Sequence, residues 1–135
     1  MTYIVGITGS RRFDRFGIVQ DSIAAEYRKH KGNISFKVGD CKTGVDRITK
    51  NFLTACGWEY EEFKADWKRF GDAAGPIRNH AMVDSGMDLL LAFPDDDSKG
   101  TKDCAKYAAG WDIKVKFPEL SGWSEWAAPI ASYEA

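Results

Sequence analysis

The chain has 135 residues, 44% hydrophobic and 29% charged, and 19 lysines and arginines against 20 aspartates and glutamates leave a net charge of −1. That length fits one domain, the composition is that of a globular chain rather than a disordered tail, and the charge balance excludes coating of nucleic acid by bulk charge while allowing a local basic patch. The longest apolar run, Leu89 to Pro94, is far short of the roughly 18 residues of a membrane span; no signal-peptide-like segment follows Met1, and Cys41, Cys56 and Cys104 have neither disulfide-framework nor zinc spacing. The expectation is a small cytoplasmic protein with no membrane partner.

Tyr3 to Thr8 is apolar and β-branched and ends in Gly9-Ser10, the pattern of a buried strand and a tight turn. Phe16, Val19, Ile23 and Tyr27 then fall on one helical face, with Gly32 as the stop. Ile34 to Val38 alternates as a strand and turns at Gly39-Asp40. Val45, Ile48, Phe52 and Ala55 predict a second helix ending at Cys56-Gly57, followed by a more exposed strand over Trp58 to Phe63. Lys64 to Gly75 reads as a longer loop. Pro76 suits the first turn of a helix running to about Ser85, with Gly86 as its stop. The continuous apolar run Leu89–Phe93 predicts a central parallel strand covered on both faces. A helix over Thr101 to Ala109, closed by Gly110, and an edge strand over Ile113 to Phe117 complete the pattern.

Strands alternating with helices predict an α/β fold: a single Rossmann-like open sheet of about five mainly parallel strands, with helices on both faces and right-handed crossovers. Residues 1–118 form the expected domain. Residues 119–135, with Trp123, Trp126, Ile130 and Tyr133, form an extension expected to pack on the same domain or on a partner chain, which would make a homo-oligomer.

In such sheets ligands bind outside the carboxyl ends of the strands, where strand order reverses. The first loop there brings Gly9, Ser10 and Arg11, with backbone N–H groups and a guanidinium suited to an anion; turn chemistry explains the same residues. In the second, Gly39 and Gly44 have P-loop spacing, but Val45-Asp46 stands where Lys-Ser/Thr is needed, which excludes a nucleoside-triphosphatase P-loop. Asp46 is either a helix cap or a ligand contact. Cys41 has no histidine near it in sequence, which argues against a Cys/His pair. In the third loop, Arg78 and Asn79 are expected in the first turn of a helix, where the dipole disfavours a cation; Arg78 therefore needs an anionic partner, either a ligand or Asp40 or Asp46. In the fourth, Gly100 and Thr101 open a helix. The run Asp95-Asp96-Asp97 is read as a solvated loop tip, with a divalent cation there as the weaker alternative. No cofactor is identified.

Taken together, Thr8-Gly9-Ser10-Arg11, Gly39-Asp40 with Gly44-Val45-Asp46, Ala65-Asp66-Trp67, Ala74-Gly75-Pro76-x-Arg78-Asn79 with Met82, and Ala92-Phe93-Pro94 with Gly100-Thr101-x-Asp103 resemble the YspA-like (cpYpsA-related) branch of the SLOG superfamily. The resemblance spans about residues 3–117. The superfamily includes the lonely-guy (LOG) phosphoribohydrolases, the DNA-uptake protein DprA and nucleotide-sensing domains. It implies a Rossmann-like fold and a site for a nucleotide or nucleotide-derived ligand. One departure stands out: where the group carries Pro-Gly-Gly-x-Gly-Thr, this chain has Asp95-Asp96-Asp97-Ser98-Lys99 between Pro94 and Gly100. The paired glycines that let backbone approach a phosphate are gone, and carboxylates there repel one.

Three functions follow from that resemblance. The first is a nucleotide-binding protein that processes an N-glycosidic or phosphoester bond, in the manner of a phosphoribohydrolase. There Arg11 and Arg78 hold phosphate, Asp40 or Asp46 the ribose hydroxyls, and Asp103 is the candidate general acid/base. The second is a non-catalytic sensor or sequestering module for the same ligand. The third is single-stranded nucleic-acid binding; near-zero net charge disfavours it, while Trp67, Trp123 and Trp126 offer the stacking groups it needs.

Overall fold

The computed structural model describes residues 1–95 and 98–118. Asp96, Asp97 and the tryptophan-containing extension 119–135 lie outside the described residues, and with them the cation alternative at the aspartate run and the packing of the extension. Among the described residues the elements follow one another as β1 (Tyr3–Gly9), α1 (Phe16–Lys29), β2 (Ile34–Gly39), α2 (Gly44–Cys56), β3 (Tyr60–Phe63), α3 (Trp67–Phe70), a 3-10 turn (Gly71–Ala73), α4 (Ala74–Asp84), β4 (Leu89–Phe93), α5 (Lys99–Gly110) and β5 (Lys114–Lys116). The five strands make one sheet in the order β3-β2-β1-β4-β5, parallel at every pairing.

Two apolar layers hold the sheet, and strand alternation decides which residue serves which. Val5, Ile7, Phe36, Leu89, Leu91 and Phe93 pack with Val19 and Ile23 of α1 and Val45, Ile48 and Leu53 of α2. On the other face, Leu90, Ala92 and Val115 pack with Met82 and Val83 of α4 and Cys104, Ala105 and Ala108 of α5. The unbroken apolar run of β4 is thus a consequence of burial on both faces. Gly57, in the left-handed region at φ 70°, closes α2 with a Schellman motif: its N–H bonds Thr54 O at 3.1 Å and the Trp58 N–H bonds Leu53 O at 3.0 Å.

Four local differences from the sequence expectation have identifiable causes. β3 starts at Tyr60 rather than Trp58, because Trp58 stacks on Tyr27 of α1 at 3.7 Å. The supposed loop Lys64–Gly75 contains α3, whose first turn is capped by Asp66 accepting the Arg69 N–H at 3.1 Å. α4 consequently begins at Ala74, which puts Arg78 and Asn79 in its second turn; Pro76 still lies among the residues whose N–H needs no helical partner. Phe16, placed by spacing on the buried stripe of α1, stands 59% exposed in the first turn of that helix, beside the loop after β1.

Lys37 shows how the second layer is fastened. It is buried in β2, and its Nζ donates to Ser85 O, Ser85 Oγ and Gly86 O at 3.2, 2.8 and 2.6 Å. A cation at the end of α4 satisfies carbonyls that the helix leaves unpaired and complements its dipole.

Candidate functional site

Strand order reverses between β1 and β4, and the loops that follow these strands meet there with the start of α2 and the body of α4. A cavity of about 320 Å³ opens at that carboxyl edge. Of the residues that the sequence put forward, Gly9, Ser10, Arg11, Asp46, Arg78, Asn79, Gly100 and Thr101 lie on its wall, together with Arg12, Cys41, Asp95, Ser98 and Lys99. Gly39, Asp40, Gly44 and Asp103 are not on the wall. The sequence did not put forward Arg12, Ser98 or Lys99 as site residues; each adjoins a residue that was noted, and the fourth loop was read for its aspartate run and for Gly100-Thr101.

Ser10 ties the first loop to both neighbours. Its N–H donates to Phe93 O at 3.0 Å and its carbonyl accepts the Val45 N–H at 3.1 Å. Its hydroxyl accepts the Arg12 N–H at 3.0 Å and donates to the Asp95 carboxylate. Gly9 stands opposite Phe93 in the sheet register, and a Cβ there would run into the Val45 side chain and sit 2.8 Å from the Phe93 carbonyl. Gly44 combines φ +67° with backbone of Ser10 and Arg11 packed against its Cα, so it is needed where the first two loops touch.

Arg78 has found its anion within the chain. Nη1 donates to Asp40 Oδ1 at 2.7 Å and to Phe63 O at 3.4 Å, while Nε donates to Asn79 Oδ1 at 2.7 Å. Asp40 also accepts the Ala65 N–H at 3.2 Å, which explains why it faces the second and third loops instead of the cavity. Gly39 belongs to the same arrangement: a Cβ on it would stand 2.6 Å from both Arg78 Nη1 and Asp46 Oδ2. The guanidinium and the carboxylate thus lie directly against bare backbone. Arg11 takes a different partner, its guanidinium 5.1 Å from the ring centre of the half-exposed Trp67.

Asp46 is the third residue of α2 and reaches back to accept the Cys41 N–H at 3.0 Å. It does not cap α2, whose N-cap is Thr43 without a side-chain bond; its carboxylate instead ties down the loop before the helix and lies on the cavity wall. Burial is the main force on its carboxyl and raises its pKa above the ordinary 3.8, against the lowering effects of the Cys41 hydrogen bond and of Arg78 and Lys50. Because the folded value is the higher one, the folded chain keeps a proton that the unfolded chain has already released. Asp46 therefore stabilises least once pH has risen through both values. Urea denaturation across that interval should show stability falling with rising pH in the parent relative to Asp46→Asn, since the amide oxygen can still accept the Cys41 N–H. A pH-independent difference between the two would refute this account.

Asp103 points away, along the flank of α5: its Oδ2 lies 2.8 Å from Nε2 of His80 on α4, whose ring stacks on Tyr107 at 3.8 Å. The thiol of Cys104, on the buried face of α5, is pushed up to about 12 by burial and stays protonated. Cys41 has no histidine bonded to it; its Sγ lies 3.8 Å from Thr43 Oγ1. Among the described residues no group of three His, Cys, Asp or Glu side chains could hold a metal, and no helix is long and apolar enough to cross a membrane.

Fold and cavity together define the class: a parallel α/β protein with a polar cavity at the switch point of its sheet. No model of a known protein family matches the chain. It is 35% identical over 116 residues to the Gene 61 protein of Mycobacterium phage D29, an alignment covering 81% of this chain and 90% of the phage protein. The chain belongs to the family of that protein.

Proposed function

We propose that the carboxyl-edge cavity binds a nucleotide or nucleotide-derived ligand through its phosphate, as the resemblance to the YspA-like branch of the SLOG superfamily implies. The observation that carries this reading is the wall itself: Arg11, Arg12 and Lys99 gather with the first turn of α5 around one cavity. Guanidinium and ammonium groups beside unpaired helix N–H groups attract an anion. Two carboxylates, Asp46 and Asp95, share that wall. Asp95 is held by the hydroxyls of Ser10 and Ser98, so a phosphate entering here meets a fixed negative charge.

Binding without turnover is the form this reading takes. The acid that the sequence offered for proton transfer, Asp103, is paired with His80 outside the cavity. Calorimetry with nucleoside mono- and diphosphates tests the proposal, with chromatography for released base or phosphate. The expected result is saturable binding without product. Arg11→Ala should weaken it by about 1.5–3 kcal/mol, the range for hydrogen bonds to charged groups. Asp95→Asn should tighten it, because the amide oxygen still accepts from one of the two serine hydroxyls while its NH2 donates to the other, and the repulsion is removed. Unchanged affinity in Arg11→Ala, or weaker binding in Asp95→Asn, would count against a phosphate at this wall.

A further inference from the structure

We propose that Trp123 of the carboxyl-terminal extension docks in a groove on its own chain, between α1 and β5, and donates its indole N–H to the carboxylate of Glu26. The groove shares no wall residue with the carboxyl-edge cavity, so the inference stands apart from the nucleotide reading.

Strand alternation leaves the groove open. Val115 faces the layer of α4 and α5, so Lys114 and Lys116 leave β5 on the side of α1 and α2. The apolar core of that side draws on β1, β2 and β4 but on no residue of β5, and Lys114 is exposed. A cavity of about 370 Å³ lies there. Its wall includes Ala25 and Glu26 of α1, Leu91 of β4, Lys116 of β5, and Phe117 and Pro118 just beyond. The residues from which the extension continues are therefore part of the wall.

Glu26 marks what the groove lacks. It is 6% exposed. Its Oε2 accepts from Lys116 Nζ at 3.1 Å, while Oε1 is buried without a hydrogen-bond partner. His30 Nε2 stands 3.7 Å from Oε1, beyond hydrogen-bond reach, and its ring is stacked on Tyr3. A buried carboxylate short of a donor is costly. One water would supply a donor but fills only about 30 Å³, which leaves most of the groove and its apolar surface unoccupied. An indole answers both needs, with a broad apolar ring and a single N–H donor.

The chain can reach. Trp123 is the first aromatic residue after Pro118, five positions on, and five residues span up to about 17 Å. Ser121-Gly122 stands directly before it, a pair that favours a turn back toward α1.

The test is NMR on the full chain, with Trp123→Phe assigning the Trp123 indole N–H among the five tryptophans. That N–H should exchange at least about tenfold more slowly than an unprotected indole, and the ring should show nuclear Overhauser contacts to the methyl groups of Ala25 and Leu91. Glu26→Gln keeps an acceptor and should retain the slow exchange; Glu26→Leu should remove most of it. Exchange at the unprotected rate overturns the proposal, as do ring contacts made by Trp126 in place of Trp123. Slow exchange that Glu26→Leu leaves intact overturns the hydrogen bond. In a mixture of differently labelled chains, contacts seen only between chains overturn docking on the same chain in favour of a second copy.

Discussion

Replacing Arg78 by methionine should lower the free energy of unfolding by about 2–4 kcal/mol, somewhat below the full cost of breaking a completely buried ion pair. The side chain of Arg78 is 8% exposed and that of Asp40 is 24% exposed, so part of the abandoned carboxylate can recover water. Methionine replaces the apolar stem and removes three donated bonds, to Asp40, Phe63 and Asn79. Asp40, the Phe63 carbonyl and Asn79 each lose a donor, and Asp46 loses a cation that favours its ionised form. Urea denaturation measures the loss. In the Arg78→Met background, the further change Asp40→Asn should cost much less than it does in the parent, because its partner has already gone. Equal costs in the two backgrounds would mean that the pair is not coupled. This variant should also bind nucleotide poorly, through a disordered wall, so Arg11→Ala is the cleaner probe of ligand contact.

Phe93→Ala should cost about 3–5 kcal/mol, the usual range for deleting a fully buried aromatic. Phe93 is 0% exposed and ends β4. Its ring meets that of Phe13 edge-on at 5.8 Å, and its carbonyl accepts the Ser10 N–H. The cavity left by the ring would open under the loop that carries Arg11 and Arg12, so nucleotide affinity should fall along with stability. Phe93→Leu, which refills most of the volume, should recover both by more than half. Retained affinity in a Phe93→Ala protein that is still folded would show that the loop is held by its backbone bonds alone.

Much of this architecture was legible because its causes are local. The alternation in Ile34–Val38, the apolar run Leu89–Phe93 and the helical spacing of Val45, Ile48 and Phe52 each reflect how a nearby backbone presents side chains to a core. Glycines at the ends of α2 and α4 marked stops for the same reason. Less legible was α3. Its cap, Asp66, is a short-range signal, but four residues carry too little periodicity to register as a helix. Phe16 had the right spacing for the core, yet its position in the first turn, beside a loop, left it in the open.

The sequence by itself determined the order and type of the strands and of the four longer helices and, through the rule that parallel crossovers bring strand-following loops to one edge, where a cavity would form. Only the tertiary structure decided what the charged groups in those loops do. Arg78 was expected to meet either a ligand or an acid, and the choice fell on Asp40, which lies 38 positions away in the chain. Asp103 sits close to Thr101 in sequence, but the turn of α5 carries it to the flank facing His80. Gly39 serves as bare backbone beneath Arg78 and Asp46. Such roles depend on distances between segments far apart in sequence. Spacing along one element says which way a side chain leaves its own backbone, and packing of separate elements alone decides what it meets there.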